Sequence, residues 1–222
     1  MISLEHRFIF VHVPKTAGTA IGEVLAPFAL PDNRTLWRSI RRRLPLIEAP
    51  DTAYLRQHET ALNIRRKLSA EVYAEFFSFG VVRNPFDHAI SHYEFMKTYR
   101  HERFARRVRT MTFAEYLRWR MQPRRLFEKQ FVRLPNQSHY LCDEAGKAIV
   151  TRVLRHECLA EEWPALARDL NLPALSLPRR RESSRTDRGR PLSELYDDVS
   201  VDLVRRLYAP DFRNFGYRPD PD

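Results

Sequence analysis

The chain has 222 residues, 43% hydrophobic and 12% aromatic, which suffices for a sizeable core and excludes a disordered polypeptide. Its net charge of +10 and pI of about 10.0 favour acidic partners: nucleotides, phosphorylated or sulfated ligands, nucleic acid, or membrane surfaces. No apolar run is long enough for a membrane-spanning helix, and the N-terminus lacks a basic region followed by a long apolar segment.

The expectation is therefore a cytoplasmic chain with no transmembrane segment, folded as a single domain over residues 1–222, with membrane association left open. Most of the positive charge is arginine, with only five lysines, a bias that coding composition alone can produce. Cys142 and Cys158 fit neither a metal-ligand spacing nor a disulfide framework, so two reduced, mostly buried thiols are expected.

In chain order, Phe8–Val13 reads as a buried strand: short, apolar, and rich in aromatic and β-branched residues. Residues Thr19–Phe28 read as a helix, with Ile21, Val24, Leu25 and Phe28 on one face. Residues 32–57 are ambiguous and hold the basic cluster "WRSIRRR". A helix is expected over Thr60–Phe76, striped by Ala61, Ile64, Leu68, Val72 and Phe76. A second strand follows at 76–82. Asn84 then caps a helix that has Pro85 at its first position. Residues 100–109 read as charged and exposed, and Thr112 with Glu115 forms a capping box before "FAEYLRWRM". A third strand is expected at 148–155, a helix at 160–170, and a last helix capped by Ser200 and running to Tyr208. Residues 177–191, with six arginines, read as a mobile basic loop. Strands alternating with helices give an α/β fold with a mostly parallel sheet.

Two strand ends carry chemistry. The first strand ends in "PKTAGTA", where small residues let backbone N–H groups approach an anion and the following helix adds its dipole. Lys15 brings a mobile charge, and Thr16 and Thr19 bring hydroxyls. An ordinary tight turn with a surface lysine fits that loop equally well. The second strand ends in "RNPFDHAIS", where Arg83 offers a planar fork for phosphate and Ser91 lies two helical turns further on, although taken alone they read as a surface arginine and a helix serine. Ligands of open α/β sheets bind beyond the carboxyl ends of the strands, so both turns should share one edge.

These two motifs carry a resemblance. "HVPKTAGTA" resembles the 5′-phosphosulfate loop of sulfotransferases, and "VVRNPFDHAISHY" resembles their 3′-phosphate motif. The segments "RQHETALNIRRKL", "RVLRHECLAEEWPALARDLNL" and "LVRRLYAPDFRNFGY" extend the resemblance nearly end to end, toward carbohydrate sulfotransferases and bacterial homologues. It implies a P-loop-like three-layer fold with a central, mostly parallel sheet flanked by helices. It also implies an enzyme using 3′-phosphoadenosine 5′-phosphosulfate (PAPS), released as PAP, on a hydroxyl-bearing acceptor such as a carbohydrate or glycoconjugate. Lys15, Thr16, Ala17, Gly18, Thr19 and Ala20 would take the 5′ end, and Arg83 and Ser91 the 3′-phosphate. Ala20 departs from the serine that usually closes the loop.

Sulfuryl transfer asks for positioning and charge stabilisation, much as phosphoryl transfer does. Lys15 is the choice to neutralise charge on the leaving oxygen. His58, in "QHET", matches a family position for the general base. No metal and no nucleic acid are expected. His12 reads as structural, and His88 and His92, one turn apart, as exposed or helix-packing rather than metal-binding. Ser183 or Ser184, in the basic loop, could reach the nucleotide. Arg41–Arg43 and Arg179–Arg181 could attract an anionic acceptor, and Trp37, Trp119 and Tyr140 could stack on a sugar or an adenine, although such residues are more often core or surface packing. Two other readings stand beside this one: a nucleotide-dependent kinase, against which the missing Walker arrangement speaks, and a non-catalytic polyanion- or nucleotide-binding protein.

Overall fold

The computed structural model describes residues 1–31, 46–53, 55–123, 130–178 and 192–221. Trp37, Arg41–Arg43, Arg179–Arg181, Ser183, Ser184 and most of the 177–191 loop lie outside these residues. The chain divides into two compact units, Met1–Val82 with Ser138–Pro178, and Arg83–Gln137 with Arg179–Asp222.

The first unit is α/β. Its four-stranded sheet has the order β1 (Ile2–Ser3), β2 (Phe8–Val11), β3 (Phe77–Val82), β4 (Arg152–Arg155). β1 is antiparallel to β2, while β2, β3 and β4 run parallel. All four residues of β2 are buried, which is why it reads as a continuous apolar run rather than an alternating one. On one face, Phe8, Phe10, Phe79, Val81 and Leu154 pack with Ile21 and Leu25 of α1 (Gly18–Leu25) and Trp163 and Leu166 of α8 (Leu159–Asp169). On the other face stands α7 (Ser138–Leu141): a Cβ added at Gly80 would fall 2.5 Å from Leu141 Cδ2 and 3.2 Å from the Val11 carbonyl oxygen. Only glycine lets the strand and helix approach so closely. The parallel sheet flanked by helices matches the architecture expected from the sequence.

Some boundaries differ. The helix expected over Thr60–Phe76 is two helices, α2 (Ala61–Leu68) and α3 (Ala70–Ala74). Ser69 breaks it at φ 69°, ψ 162°, and its side chain accepts a hydrogen bond from the Val72 N–H to cap α3. The break rotates the apolar stripe, so Tyr73 rather than Val72 is buried with Phe76. The third strand is shorter than 148–155, because Ala148 bridges Cys142 across a turn whose Asp143 carboxylate accepts from the N–H groups of Ala145 and Lys147. β1 had no counterpart in the sequence reading. Cys142 is buried as expected, but Cys158 is exposed.

The second unit is helical: α4 (Pro85–Lys97), α5 (Glu102–Arg109), α6 (Phe113–Met121), α9 (Asp198–Leu207) and α10 (Ala209–Phe215). Asn84 caps α4, accepting from the Phe86 N–H, and the Thr112–Glu115 capping box opens α6. Residues 100–109, read as merely charged and exposed, include α5, whose Ala105 and Val108 supply a buried edge three residues apart. The last helix is not the one expected. Asp197 caps α9 while Ser200 sits in its first turn and reciprocates, and "APDFRNF" forms a further helix ended by Gly216 in the left-handed region at φ 64°. Among the described residues, no helix is long and apolar enough to cross a membrane.

Ser69 occupies a backbone region that is open to glycine and costs other residues about 1–3 kcal/mol. Ser69→Gly releases that strain and, on capping scales, gives up only a few tenths of a kcal/mol, whereas Ser69→Ala keeps the strain and loses a cap of about 1 kcal/mol. Thermal melts should therefore place Ser69→Gly at or above the wild type and Ser69→Ala below it.

Candidate active site

The loop that leaves β2 is strained in a purposeful way. Lys15 (φ 68°) and Ala17 (φ 63°) both sit in the left-handed region, with Thr16 between them outside it. Alternation of this kind turns successive N–H groups toward one side and makes an anion-binding concavity. Neither residue is glycine, so holding both there costs about 1–3 kcal/mol each, supplied by the surrounding packing. Part of the hold is Thr16. It is 1% exposed, and its hydroxyl donates to the Val13 carbonyl at 3.0 Å, so its side chain braces the loop from within. Ala17 precedes α1 without a side-chain cap, so no N-cap side chain takes up the first N–H groups of that helix. Thr19 is exposed, Lys15 is half-buried, and Ala20, the departure from serine, is buried.

Gly18 is dictated by His12. A Cβ at position 18 would lie 2.0 Å from His12 Cδ2 and 2.1 Å from its Nε2. The imidazole cannot step aside cheaply, because it stacks on Phe10 (centroids 5.7 Å, planes 17° apart) and meets the His58 ring edge-on at 4.5 Å. His12, read from the sequence as structural, is thus the piece that joins the loop to His58.

His58 stands just before α2. Thr60 caps that helix by accepting from the Asn63 N–H, and the Glu59 carboxylate takes hydrogen bonds from Asn63 Nδ2 at 3.1 Å and Lys67 Nζ at 3.0 Å. The histidine therefore hangs from a well-tied helix start. Its Nδ1 lies 3.1 Å from the His12 carbonyl oxygen. A carbonyl only accepts, so Nδ1 carries the proton and Nε2 is the basic nitrogen. Burial pushes the His58 pKa below its ordinary 6.5, although the hydrogen bond to the His12 carbonyl acts the other way. Burial, and next the neighbouring His58, hold His12 down at about 3. Both rings are neutral at neutral pH, which is the form a general base needs.

In the second unit, Arg83 is the first residue beyond β3. Its guanidinium meets Asp87, one turn into α4, with Nε and Nη2 both 2.6 Å from Oδ2. Ser91, two turns along α4, is 1% exposed. His88 and His92 are buried at 1% and 0% exposure and pack the helix. His88 Nδ1 lies 2.8 Å from the Tyr208 hydroxyl, which also receives Arg120 Nη1 at 2.9 Å. His92 donates from Nε2 to the Phe131 carbonyl at 3.0 Å and bonds Tyr116 through Nδ1. Each ring nitrogen named here is engaged by protein, and among the described residues no group of three metal-ligating side chains comes together. Trp119 and Tyr140, each 2% exposed, are packing residues rather than stacking platforms.

The structure thus brings Lys15, Thr16, Ala17, Gly18, Thr19, Ala20 and His58 together in one unit, and Arg83 and Ser91 on one segment of the other. The sequence reading missed Asp87, although its spacing of four from Arg83 was a usable signal, and it missed His12 as the connector.

Comparison with known proteins then decides the lineage: the model of the sulfotransferase family matches residues 1–218. The chain belongs to the sulfotransferase family. No curated protein and no solved structure matches it. This family member is a transferase of sulfuryl groups.

Two outcomes test the geometry. Gly18→Ala should lower the melting temperature relative to the wild type, because the added Cβ must displace the packed His12 ring, read by thermal melts followed by circular dichroism. Stability should also depend on pH through His12. Unfolded histidine takes its proton near 6.5 and folded His12 only near 3, so the unfolded state binds more protons in between. The contribution is fully present above pH 6.5 and is lost as pH falls toward 3, at up to about 1.4 kcal/mol per pH unit. Melting temperatures between pH 7.5 and 5 should fall less steeply for His12→Asn than for the wild type.

Proposed function

We propose that this sulfotransferase moves a sulfuryl group from PAPS to a hydroxyl of a carbohydrate or glycoconjugate. The observation that carries the reading is the alternating left-handed backbone at Lys15 and Ala17 directly ahead of α1, beside a histidine whose proton is fixed on Nδ1. PAPS supplies an activated sulfuryl group and departs as PAP.

The residues divide the work. The N–H groups of the 15–20 loop grip the 5′-phosphosulfate, with Thr16 holding the loop shape through Val13 rather than reaching out. Lys15 sets its charge against the negative charge that grows on the bridging oxygen as the bond to sulfur breaks. Arg83, steadied by Asp87, and Ser91 take the 3′-phosphate, the group that separates PAP from AMP. His58 accepts the acceptor's hydroxyl proton on Nε2, and the His12 carbonyl steadies the positive ring that results. Loss of one correctly placed side chain in such a site costs about 10²–10³-fold in rate.

A polyanion-binding protein would tolerate loss of Lys15 or His58, and its affinity would follow salt. Lys15→Ala should instead lower kcat for sulfuryl transfer by about a hundredfold. For the wild type, kcat/KM should rise with pH along an acidic limb centred below 6.5, because burial depresses His58, and that limb should vanish in His58→Gln. Transfer assays with labelled PAPS and a panel of carbohydrate acceptors provide both readouts. Full transfer activity in Lys15→Ala would remove the proposal.

A further inference from the structure

Arg83 lies at the point where the chain leaves β3, so its own main-chain N–H and C=O must find partners beyond the strand. They find one side chain. Gln137 Oε1 accepts from the Arg83 N–H at 2.7 Å, and Gln137 Nε2 donates to the Arg83 carbonyl at 2.8 Å. This reciprocal pair copies the way one strand residue clasps another. The amide has only one workable orientation. The Arg83 carbonyl and the Asp211 carboxylate are both acceptors, so the NH₂ must face them and the oxygen must face the Arg83 N–H. Asp211 Oδ2 receives the Gln137 main-chain N–H at 2.8 Å and its Nε2 at 3.2 Å, fixing backbone and side chain with one atom. Gln137 and Asp211 are both 0% exposed, so these bonds are sheltered from competing water.

The position of Asp211 follows from the chain. It sits in the first turn of α10, three residues after Tyr208, whose hydroxyl anchors His88 on α4. The single segment "YAPD" thus holds α4 at His88 and, through Gln137, holds the residue that precedes α4's cap. Arg83 is gripped at both ends: its main chain by Gln137 and its guanidinium by Asp87.

We infer that Gln137, locked by Asp211, is a positioning residue for Arg83, fixing the main chain from which that arginine reaches the 3′-phosphate. The inference rests on the assignment of Arg83 given under the proposed function. It adds a specificity device: Gln137 touches no nucleotide, yet it sets how well the enzyme tells a 3′-phosphorylated nucleotide from its unphosphorylated counterpart. 5′-AMP has no 3′-phosphate for Arg83 to reach, so a loosened Arg83 weakens PAP and spares AMP.

Calorimetric titration of the full chain with PAP and with 5′-AMP reads this selectivity directly. Gln137→Met keeps the side-chain volume and removes both hydrogen bonds. It should weaken PAP by about tenfold and leave AMP within about twofold, moving the PAP-to-AMP ratio toward that of Arg83→Ala. Asp211→Asn keeps an acceptor oxygen for Gln137 and should give a smaller loss in the same direction. A folded Gln137→Met that keeps the wild-type ratio, or that weakens both ligands equally, overturns the inference. Should Gln137→Met fail to fold, Asp211→Asn decides: a lowered ratio supports the clamp and an unchanged ratio overturns it. Equal binding of PAP and AMP by the wild type would instead remove the assignment of Arg83 on which the clamp rests. The two failures are therefore distinguishable.

Discussion

The parallel pairing of β2 with β3 is the constraint on which the rest of the molecule depends. Phe8 pairs with Phe77 and Val11 with Gly80, so both strands run to the same edge of the sheet. The 15–20 loop leaves one strand there and Arg83 leaves the other. Parallel strands demand crossover connections and burial on both faces, which accounts for the uniformly apolar strand sequences and for the helices packed on either side. Gly80 is part of the same constraint, since any side chain there would collide with Leu141 or the Val11 carbonyl.

On that edge, the geometry of the 15–20 loop is maintained by packing rather than by loop chemistry alone. Two non-glycine residues hold left-handed conformations, and the contacts that enforce them run through Thr16 and His12. His12 has a threefold part: its ring forbids a side chain at position 18, its carbonyl fixes the proton of His58, and its neighbourhood keeps both imidazoles neutral. The arrangement spends folding stability on preorganisation, a common pattern at sites where charge must be met without rearrangement.

Much of this was legible in the sequence, for identifiable reasons. Phe8–Val13 and 76–82 are apolar runs bounded by a proline and an arginine, and such runs state their structure locally. Asn84–Pro85 and Thr112–Glu115 are local signals too, and both caps stand where expected. What failed was non-local or backbone-dependent. Ser69 breaks a helix through a positive φ that no residue type announces. Both Ser200 and Asp197 are N-capping residue types, and it is Asp197, three residues earlier, that takes the role while Ser200 answers from the first turn. His12, Gln137 and Asp211 gained their importance from contacts with residues distant in sequence: His12 with His58, and Gln137 with Arg83 and Asp211. Within the loop, the motif residues were readable as a set, but the inward brace of Thr16 became visible only with the Val13 carbonyl in place.

Under the proposed function, the 15–20 loop takes the 5′ end of the nucleotide and Arg83 takes its 3′-phosphate. Calorimetric titration of the wild-type protein with PAP, against 5′-AMP as control, tests it most directly. Markedly tighter binding of PAP is expected, with the preference lost in Arg83→Ala and binding of both nucleotides lost in Gly18→Ala. Equal affinity for PAP and AMP, or binding of PAP unaffected by Arg83→Ala, would contradict it.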